Sequence, residues 1–306
     1  MRDDIKDTLL ELVSGFKGIP NGAYNIRLNS QLDSRANTEN IKIESKTDKS
    51  GIDIYVKPGT KTEQVFIPAL VTHEGVHDLV YNDFFIGDDA DITIIAGCGI
   101  HNCGDEGSEH NGIHRFFVGK NAKVRYIEKH IGTGDGNGKR IINPETVVEA
   151  DENSYVEMES TQIKGVDSTI RKTSARLKAG ATFVVKEKIM THGEQYAETH
   201  FNVDLDGEDS SVTLSSRSVA KDHSKQKFIS IINGNNRCMG HSECDSIIMD
   251  EGVVVAVPEI SAYHVDASLI HEAAIGKIAG EQIIKLMTLG LTEEEAEQQI
   301  INGFLK

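Results

Sequence analysis

The chain has 306 residues, of which 38% are hydrophobic and 26% are charged, and it contains no Trp. Its formal net charge is −16, from 48 acidic against 32 basic residues. This balance argues against nucleic acid as a partner, because phosphate binding depends on Lys and Arg, and against an anionic membrane surface. The first residues do not resemble a signal peptide and no apolar run is long enough to span a membrane. We therefore expect a cytoplasmic protein.

The N-terminal region, residues 1–79, is predicted to contain a short helix and a β-hairpin. Residues 3–14 place Ile5 and Leu9 on one helical face. Hydrophobic residues then alternate with polar ones from residue 41 to residue 56, on both sides of a polar turn. This period of two on either side of a turn is typical of a hairpin.

The central region, residues 80–262, repeats a unit of strand, turn and strand. Its turn clusters of Gly, Asn and Asp follow one another at intervals of 33, 30, 29, 27 and 27 residues, with β-branched runs between them. This pattern predicts a mainly β protein, a right-handed parallel β-helix built of stacked coils. A β-sandwich is the alternative, but its turns usually recur every ~8–12 residues.

The C-terminal region, residues 263–306, is predicted to hold a last strand and two helices. Residues 278–289 have one broad apolar face, and Thr292 with Glu295 forms a capping-box sequence at the start of the second helix. These helices can cap the open end of the solenoid, as any solenoid requires, and can also form a docking surface. The apolar residues assigned to that docking surface are Ile283, Met287 and Leu289.

Four cysteines are present, and in a cytosolic chain they are more often reduced, metal-binding or reactive than paired in disulfides. For any single one, the simplest interpretation is a small buried hydrophobic residue. One group superficially resembles a zinc site but lacks the spacing between cysteines that such sites use, so we do not favour structural zinc there. Its members are Cys98, His101, Cys103, His110 and His114.

Cys244 and the adjacent pair His271 and Glu272 are candidate iron ligands. Thiolate sulfur binds iron well, and iron–sulfur clusters are commonly held by Cys. Carboxylate and imidazole are weaker iron ligands than thiolate and exchange more readily. The 28 residues between Cys244 and Glu272 equal about one predicted coil, so the two could stack on neighbouring coils. In a strand His271 and Glu272 face opposite ways, so one of them is expected to point at Cys244.

The order of the C-terminal motifs resembles the SufB/SufD family, the scaffold subunits of Suf-type iron–sulfur cluster assembly. The motifs are Cys244-Asp245-Ser246, Ile270-His271-Glu272-Ala273 and the acidic-capped helix that ends in Asn302-Gly303-Phe304. The likeness extends from about residue 80 and is most specific over residues 234–304. It implies that the Cys and Glu build the cluster as in SufB, while SufD-type subunits use a His where His271 falls. The short N-terminal region resembles the single-gene form, which would act as a homodimer.

A second stretch carries the same resemblance. Cys98 follows a Gly, His110 lies twelve residues later, and Lys120-Asn121-Ala122 and Val124-Arg125-Tyr126 come next. The family implies that this Cys receives sulfur, with His110 beside it, and relays the sulfur toward Cys244. Cys103 and Cys238 match no family position, and we interpret them as packing residues.

The resemblance implies a scaffold that is not itself an enzyme and that carries a transient iron–sulfur cluster. The implied partners are a SufC-type ABC ATPase on the C-terminal helices, a second copy of the chain, a cysteine desulfurase or other sulfur donor, and apo iron–sulfur proteins as recipients. One alternative is a β-helix carbohydrate-active enzyme, which the absence of Trp and the 7 Tyr disfavour. The other is a non-catalytic structural solenoid, which would leave Cys244 and its acidic neighbour without a role.

Overall fold

The structure is a computed structural model that describes residues 2–306, and it is a parallel β-solenoid of about eight turns with three short helices. This confirms the predicted parallel β-helix. The elements in chain order are α1 (Arg2–Ser14), β1 (Ala23–Leu28), β2 (Gln31–Ala36), β3 (Ile41–Ser45), β4 (Gly51–Val56), β5 (Lys61–Val71), β6 (His77–Ile86), β7 (Asp91–His101), β8 (Ser108–Val118), β9 (Lys123–Thr133), β10 (Arg140–Ile142), β11 (Glu145–Ala150), β12 (Tyr155–Lys164), β13 (Ser168–Leu177), β14 (Thr182–Thr191), β15 (Tyr196–Leu205), β16 (Ser210–Ala220), β17 (Lys225–Gly234), β18 (Cys238–Ile248), β19 (Val253–Ala262), β20 (Ala267–Gly276), α2 (Gly280–Met287) and α3 (Glu293–Phe304).

From β4 onward, successive strands alternate between two long sheets, and β10 and β11 together occupy one position in the second sheet. One sheet has the order β2-β1-β5-β7-β9-β12-β14-β16-β18-β20, and the other runs from β19 through β17, β15, β13, β10, β8, β6 and β4 to β3. From β4 onward each strand pairs in parallel with the strand one coil further on. Tyr155 stands opposite Thr182 and Cys238 opposite Ala267, which are offsets of 27 and 29 residues. The predicted turn interval is thus the length of one coil.

The corners of the coils explain the recurring Asn and Asp residues. Several corner residues have a positive φ, a conformation that costs most side chains energy but that Asn and Asp adopt more readily. The turn clusters in the sequence are therefore conformational requirements of the coil. The corner residues with φ between 53° and 59° are Asp89, Asn121, Asn153, Asp209, Asp222 and Asp250.

The N-terminal region is built onto the first coils. The predicted hairpin is confirmed, with Ile41 opposite Val56 in the antiparallel pair of β3 and β4. β1 is antiparallel to β2 but parallel to β5, so parallel stacking begins before residue 80. Helix α1 lies against β7, where a Cβ added at Gly97 would come within 2.6 Å of the Cβ of Val13. The helix therefore covers the outer face of the strand that carries Cys98.

The other end of the solenoid is only partly covered. Ile301 of helix α3 and the following Leu305 pack against Val219 and Met249, and the predicted capping box of α3 is present. β19 and β20 are the last strands of their sheets, and much of their outer face is exposed. Between residues 2 and 306, no helix combines the length and apolar character needed to cross a membrane.

Candidate functional site

Cys98 lies inside the solenoid, between two imidazoles. It is 6% exposed and belongs to the residues of β7 that face the interior. His130 is its register partner on the neighbouring strand β9, and His110 reaches it from β8 in the opposite sheet. Both imidazoles interact with the thiol. The structure therefore brings together Cys98 and His110, which the sequence linked, and adds His130, which it did not.

His110 is itself held by a buried ion pair. Its Nδ1 lies 3.0 Å from Oδ2 of Asp78. The guanidinium of Arg27 donates to both oxygens of the same carboxylate, each at 2.7 Å. His110 and Asp78 are 2% and 5% exposed. Because Nδ1 is engaged by the carboxylate, Nε2 is the nitrogen left for Cys98.

These contacts favour the charged forms of both partners. Burial would raise the pKa of Cys98, but the positive imidazoles of His110 and His130 outweigh it and lower that pKa to about 7. Burial would lower the pKa of His110, but Cys98 and Asp78 raise it to about 10. A thiolate next to an imidazolium is the usual form of a reactive cysteine. Near neutral pH the interior thus holds a nucleophilic sulfur.

A column of polar side chains runs along the interior from this point. It has one member on each of β9, β12, β14, β16 and β18, and each member stands opposite the next one in the strand pairing. Neighbouring strands are about 4.8 Å apart, so the four spacings span about 19 Å. Its members are Glu128, Ser160, Glu187, Ser216 and Cys244, and Glu128 lies two residues before His130, the register partner of Cys98. The interior therefore offers a polar path between the two predicted cysteines.

Arg171 ties the first half of this column together. Its Nη1 is 2.6 Å from Glu128 and its Nη2 is 3.2 Å from His130, while its Nε is 3.6 Å from Glu187. Burial would raise the pKa of Glu128, but His130 and Arg171 hold it well below its usual range. Burial dominates at Glu187 and raises its pKa, while the hydroxyls of Thr199 and Ser216 each donate to it at 2.9 Å.

Cys244 stands at the far end of the column in a different chemical state. It is 1% exposed, and burial raises the pKa of its thiol to about 11. Its Sγ lies 3.9 Å from the hydroxyl of Ser246. At neutral pH Cys244 is therefore a neutral thiol, which a metal ion can deprotonate on binding because the bound form is the thiolate.

His271 and Glu272 lie on the strand next to Cys244 but face opposite ways. The coil is 29 residues long here, so Cys244 is opposite Ala273, and Glu272 is displaced by one residue from the stacking suggested by its spacing. His271 pairs with Ser242, whose side chain is buried in the interior. Glu272 faces outward, 3.5 Å from His241. His271 therefore shares the interior face with Cys244, and its buried Nδ1 lacks a hydrogen-bonding partner among the described residues.

The resemblance to a zinc site does not correspond to a cluster of ligands. Cys98 and His110 face the interior, where His114 contacts Tyr126 at 2.7 Å. Cys103 faces outward, with its sulfur 3.1 Å from Nε2 of His101. Cys103 is exposed, so its interpretation as a packing residue is wrong, whereas Cys238 is buried as expected.

Helix α2 presents the residues assigned to docking. All of its side chains are partly or fully exposed, and Met287 and the following Leu289 are 42% and 76% exposed. Ile283 lies one turn before Met287 on the same face. The helix contacts α3, and its apolar side chains are half-buried or exposed.

The charged residues of the interior were missed by the sequence reasoning. Glu128 and His130 continue the alternation of Val124 and Tyr126, so a charge at an inward position was visible in the sequence. Arg171 occupies an equivalent inward position on β13. A charge on the buried face of a strand is expensive unless it is paired, and that is the signal that would have identified these residues.

The chain is similar in sequence to known proteins. Residues 81–304 match the sequence model of the SUF system FeS cluster assembly, SufBD core domain. An iron-sulfur cluster assembly SufBD family protein of Archaeoglobus fulgidus is 29% identical over 85% of this chain and 69% of its own length, and one of Methanocaldococcus jannaschii is 28% identical over 87% and 85%. The iron-sulfur cluster assembly protein SufB of Bacillus subtilis is 25% identical over 84% of this chain and 55% of its own length. This chain belongs to the SufBD family of iron–sulfur cluster assembly proteins.

Proposed function

We propose that this protein is a scaffold that receives sulfur at Cys98 and builds an iron–sulfur cluster at Cys244. The observation that carries the proposal is the polar interior column, which connects a thiolate–imidazolium pair to a buried thiol at the open end of the solenoid. An apolar interior would oppose the passage of any charged sulfur species, because an unpaired charge is costly to bury. Arg171 and His130 offer compensating positive charge along the way.

The sulfur chemistry divides into two steps. A donor persulfide first transfers its outer sulfur to the Cys98 thiolate, as a cysteine desulfurase or other donor would supply it. Two equivalents of an external thiol then reduce the Cys98 persulfide: the outer sulfur is released as sulfide, the two thiols leave joined as a disulfide, and Cys98 returns to the thiol. Iron held at Cys244 combines with the sulfide, and the finished cluster passes to apo iron–sulfur proteins in the cytoplasm.

A homodimer would complete the cluster site. One chain offers Cys244 with His271 or Glu272, whereas an iron–sulfur cluster commonly takes four protein ligands. The edges of β19 and β20 are strands that a second chain can pair with. β19 also exposes Val253, Val255 and Val257, each between 42% and 44% exposed. The proposed dimer therefore joins two copies at the end of the solenoid nearest Cys244.

Changing Val255 and Val257 to Lys is expected to give a folded monomer. Val255 and Val257 are 44% and 42% exposed in the single chain, so their replacement removes little internal packing, while two charges at a dimer interface would have to be desolvated. Light scattering after size exclusion measures the mass. A control pair, Leu32→Lys and Leu79→Lys, replaces hydrophobic side chains that are 51% and 47% exposed near the other end and should leave the mass unchanged. A dimer of undiminished stability in the Val255 and Val257 variant would place the interface elsewhere.

The scaffold itself would not hydrolyse ATP. We propose that a SufC-type ABC ATPase docks on α2 and that its ATP-driven closure moves the two scaffold copies to open the cluster site. The exposed apolar face of α2 supports this role. A docking helix that contributes little to the core can be altered without unfolding the protein, which makes the idea testable.

The double change Met287→Glu and Leu289→Glu is expected to abolish ATPase binding and leave the thermal unfolding midpoint within a few degrees of wild type. Exposed substitutions usually change stability by less than about 0.5 kcal/mol. Pull-down and calorimetry with the ATPase measure binding, and the exposed residues Ile19 and Leu32, changed to Glu, serve as the control. Undiminished binding would remove α2 from the interface.

Anaerobic reconstitution tests the central proposal. Wild-type protein incubated with ferrous iron and sulfide should become brown and bind both elements in a fixed ratio per dimer. A colourless protein would favour the structural solenoid or carbohydrate-active alternatives over cluster assembly.

A further inference from the structure

The residues that hold His110 next to Cys98 include two that lie outside the family's core region. The matched core begins at residue 81, but Arg27 on β1 and Asp78 on β6 precede it. Their side chains meet inside the solenoid, where Arg27 forks onto Asp78 and Asp78 contacts His110 at 3.0 Å. If Cys98 receives sulfur, as proposed above, Arg27 and Asp78 are placed to affect its reactivity through His110.

We propose that Asp78, held by Arg27, is a positioning residue that orients His110 and keeps it protonated so that Cys98 accepts sulfur from a persulfide donor. The carboxylate contacts Nδ1, which directs Nε2 toward the thiol. The same contact favours the imidazolium by charge. The bidentate Arg27 pair fixes the plane of the carboxylate, because two parallel hydrogen bonds define its orientation as well as its position.

Cys98, His110 and Asp78 correspond to a nucleophile, the base that activates it and a third group that orients the base. A narrow cavity lined by Arg27, Asn82, Cys98 and His110 joins the parts. The charged or titratable groups that surround Cys98 and His110 are Arg27, Asp78, His114, Tyr126 and His130. Burial lowers the pKa of His114 to about 4, so it stays neutral, and the other groups supply the local field.

The transfer step is balanced without an outside oxidant. Cys98 Sγ attacks the outer sulfur of a donor persulfide R–S–SH. The donor's S–S bond breaks as a new S–S bond forms on Cys98, and the donor leaves as R–S⁻. The sulfur of Cys98 is oxidised by the amount that the donor's inner sulfur is reduced. The imidazolium of His110 supplies the proton that converts R–S⁻ to the thiol.

The test measures the rate of Cys98 alkylation by iodoacetamide against pH. Cys98 and Cys103 fall in one tryptic peptide, residues 62–115, so the experiment uses a Cys103→Ser background and peptide mass spectrometry. We expect the rate in the parent to rise through about pH 7. In Asp78→Asn the midpoint should move up by about one pH unit, because the loss of a nearby opposite charge destabilises the imidazolium, and alkylation at pH 7 should slow by about fivefold.

Asp83→Asn is the matched control. Asp83 lies on the same strand, is 4% exposed against 5% for Asp78, and pairs with two cations, Lys46 and Arg115. A purely structural role for Asp78 predicts that both variants lose similar stability and keep the parental pH profile. A shift only in Asp78→Asn supports the proposal, and equal profiles in the two variants overturn it.

Two further measurements test the proposal if Asp78→Asn fails to fold. Arg27→Lys keeps the positive charge but loses the bidentate pair, and it should shift the Cys98 profile in the same direction by a smaller amount. In the unaltered protein, nitrogen NMR of labelled histidine should show His110 protonated on both nitrogens at neutral pH. A neutral His110 there would overturn the proposal.

Sulfur transfer is measured in a separate experiment, so that the positioning role of Asp78 and the sulfur-receiving function of Cys98 can be rejected independently. The full-length protein is incubated with a small-molecule persulfide, and the gain of one sulfur on the Cys98 peptide is measured. If Asp78 shifts the alkylation profile but Cys98 gains no sulfur, the positioning role stands and the sulfur-receiving function fails. If sulfur is gained equally by the parent and by an Asp78→Asn variant with an unshifted profile, the function stands and the positioning role fails.

Discussion

Cys244→Ser is expected to fold like the wild type and to lose nearly all of its bound iron and sulfide after anaerobic reconstitution. Serine replaces a soft sulfur ligand by a hard oxygen that iron–sulfur clusters bind poorly. The new hydroxyl lies near the hydroxyls of Ser216 and Ser246, so it need not remain unpaired, and we expect a change of about 1 kcal/mol in the free energy of unfolding. Metal and sulfide analysis per dimer, with visible absorbance, measures the loss.

Cys238→Ser provides a closely matched control. Cys238 lies on the same strand, β18, and is also buried, at 3% exposure, but it sits beside Gly234 at the end of the coil and has no part in the polar column. Cys103→Ser adds an exposed control. Both should load like the wild type. Cluster loading that survives in Cys244→Ser, or that disappears equally in Cys238→Ser, would contradict the assignment of Cys244 as a ligand.

The second ligand can be identified with the same assay. The family resemblance favours Glu272, but the register places His271 on the face shared with Cys244 and turns Glu272 toward His241. We therefore expect His271→Ala to lower loading more than Glu272→Ala. The reverse order would mean that the side chains of β20 exchange faces in the dimer, or that the cluster binds on the outer face where two chains meet.

The fold could be predicted because its requirements recur along the chain. Every coil repeats the need for a sharp corner, and Asn and Asp residues such as Asn121 and Asp209 meet that need visibly. The start of the solenoid was harder to place. β1 pairs with an antiparallel strand on one side and with a parallel strand on the other. A strand with two kinds of pairing has no sequence pattern that distinguishes it.

The site was predictable only where residues are close in sequence or carry a family motif. Cys98 and Cys244 could be named from their motifs. The path between them depends on register across five strands, and a change of one residue moves a side chain to the other face. That sensitivity explains both the misplaced stacking of Glu272 and the failure to connect Arg171, 43 residues from Glu128, with the acid it neutralises.

Polarity in the interior has a consequence for stability as well as for sulfur transfer. Around Arg171 the solenoid replaces apolar packing by a network in which Glu128 and Glu187 share one guanidinium. A buried ion network contributes little net stability compared with hydrophobic packing, but removal of one member leaves the others without compensation. The interior therefore keeps its polar path only as long as every member is present.

Arg171→Met is accordingly expected to be strongly destabilising, by about 3–5 kcal/mol. Methionine has a similar length but leaves Glu128 with His130 and the Tyr126 hydroxyl. It leaves Glu187 with hydroxyl donors alone. Urea unfolding followed by circular dichroism measures the free energy. The control Arg176→Met, on the same strand, removes an arginine that is 60% exposed with carboxylate partners at 3.3 Å and 3.9 Å, and should change stability by less than about 1 kcal/mol.

The pH dependence of this loss identifies its cause. The pKa of Glu128 is depressed in the folded protein, so its stabilising contribution is present above its ordinary value of 4.5 and is lost as the pH falls through the folded value. The difference between wild type and Arg171→Met should therefore be largest near neutral pH and shrink in acid. Adding Glu128→Gln to Arg171→Met should recover part of the stability by removing the uncompensated charge. A deficit that is independent of pH, or that the second substitution worsens, would show that Arg171 acts through packing and not through its charge.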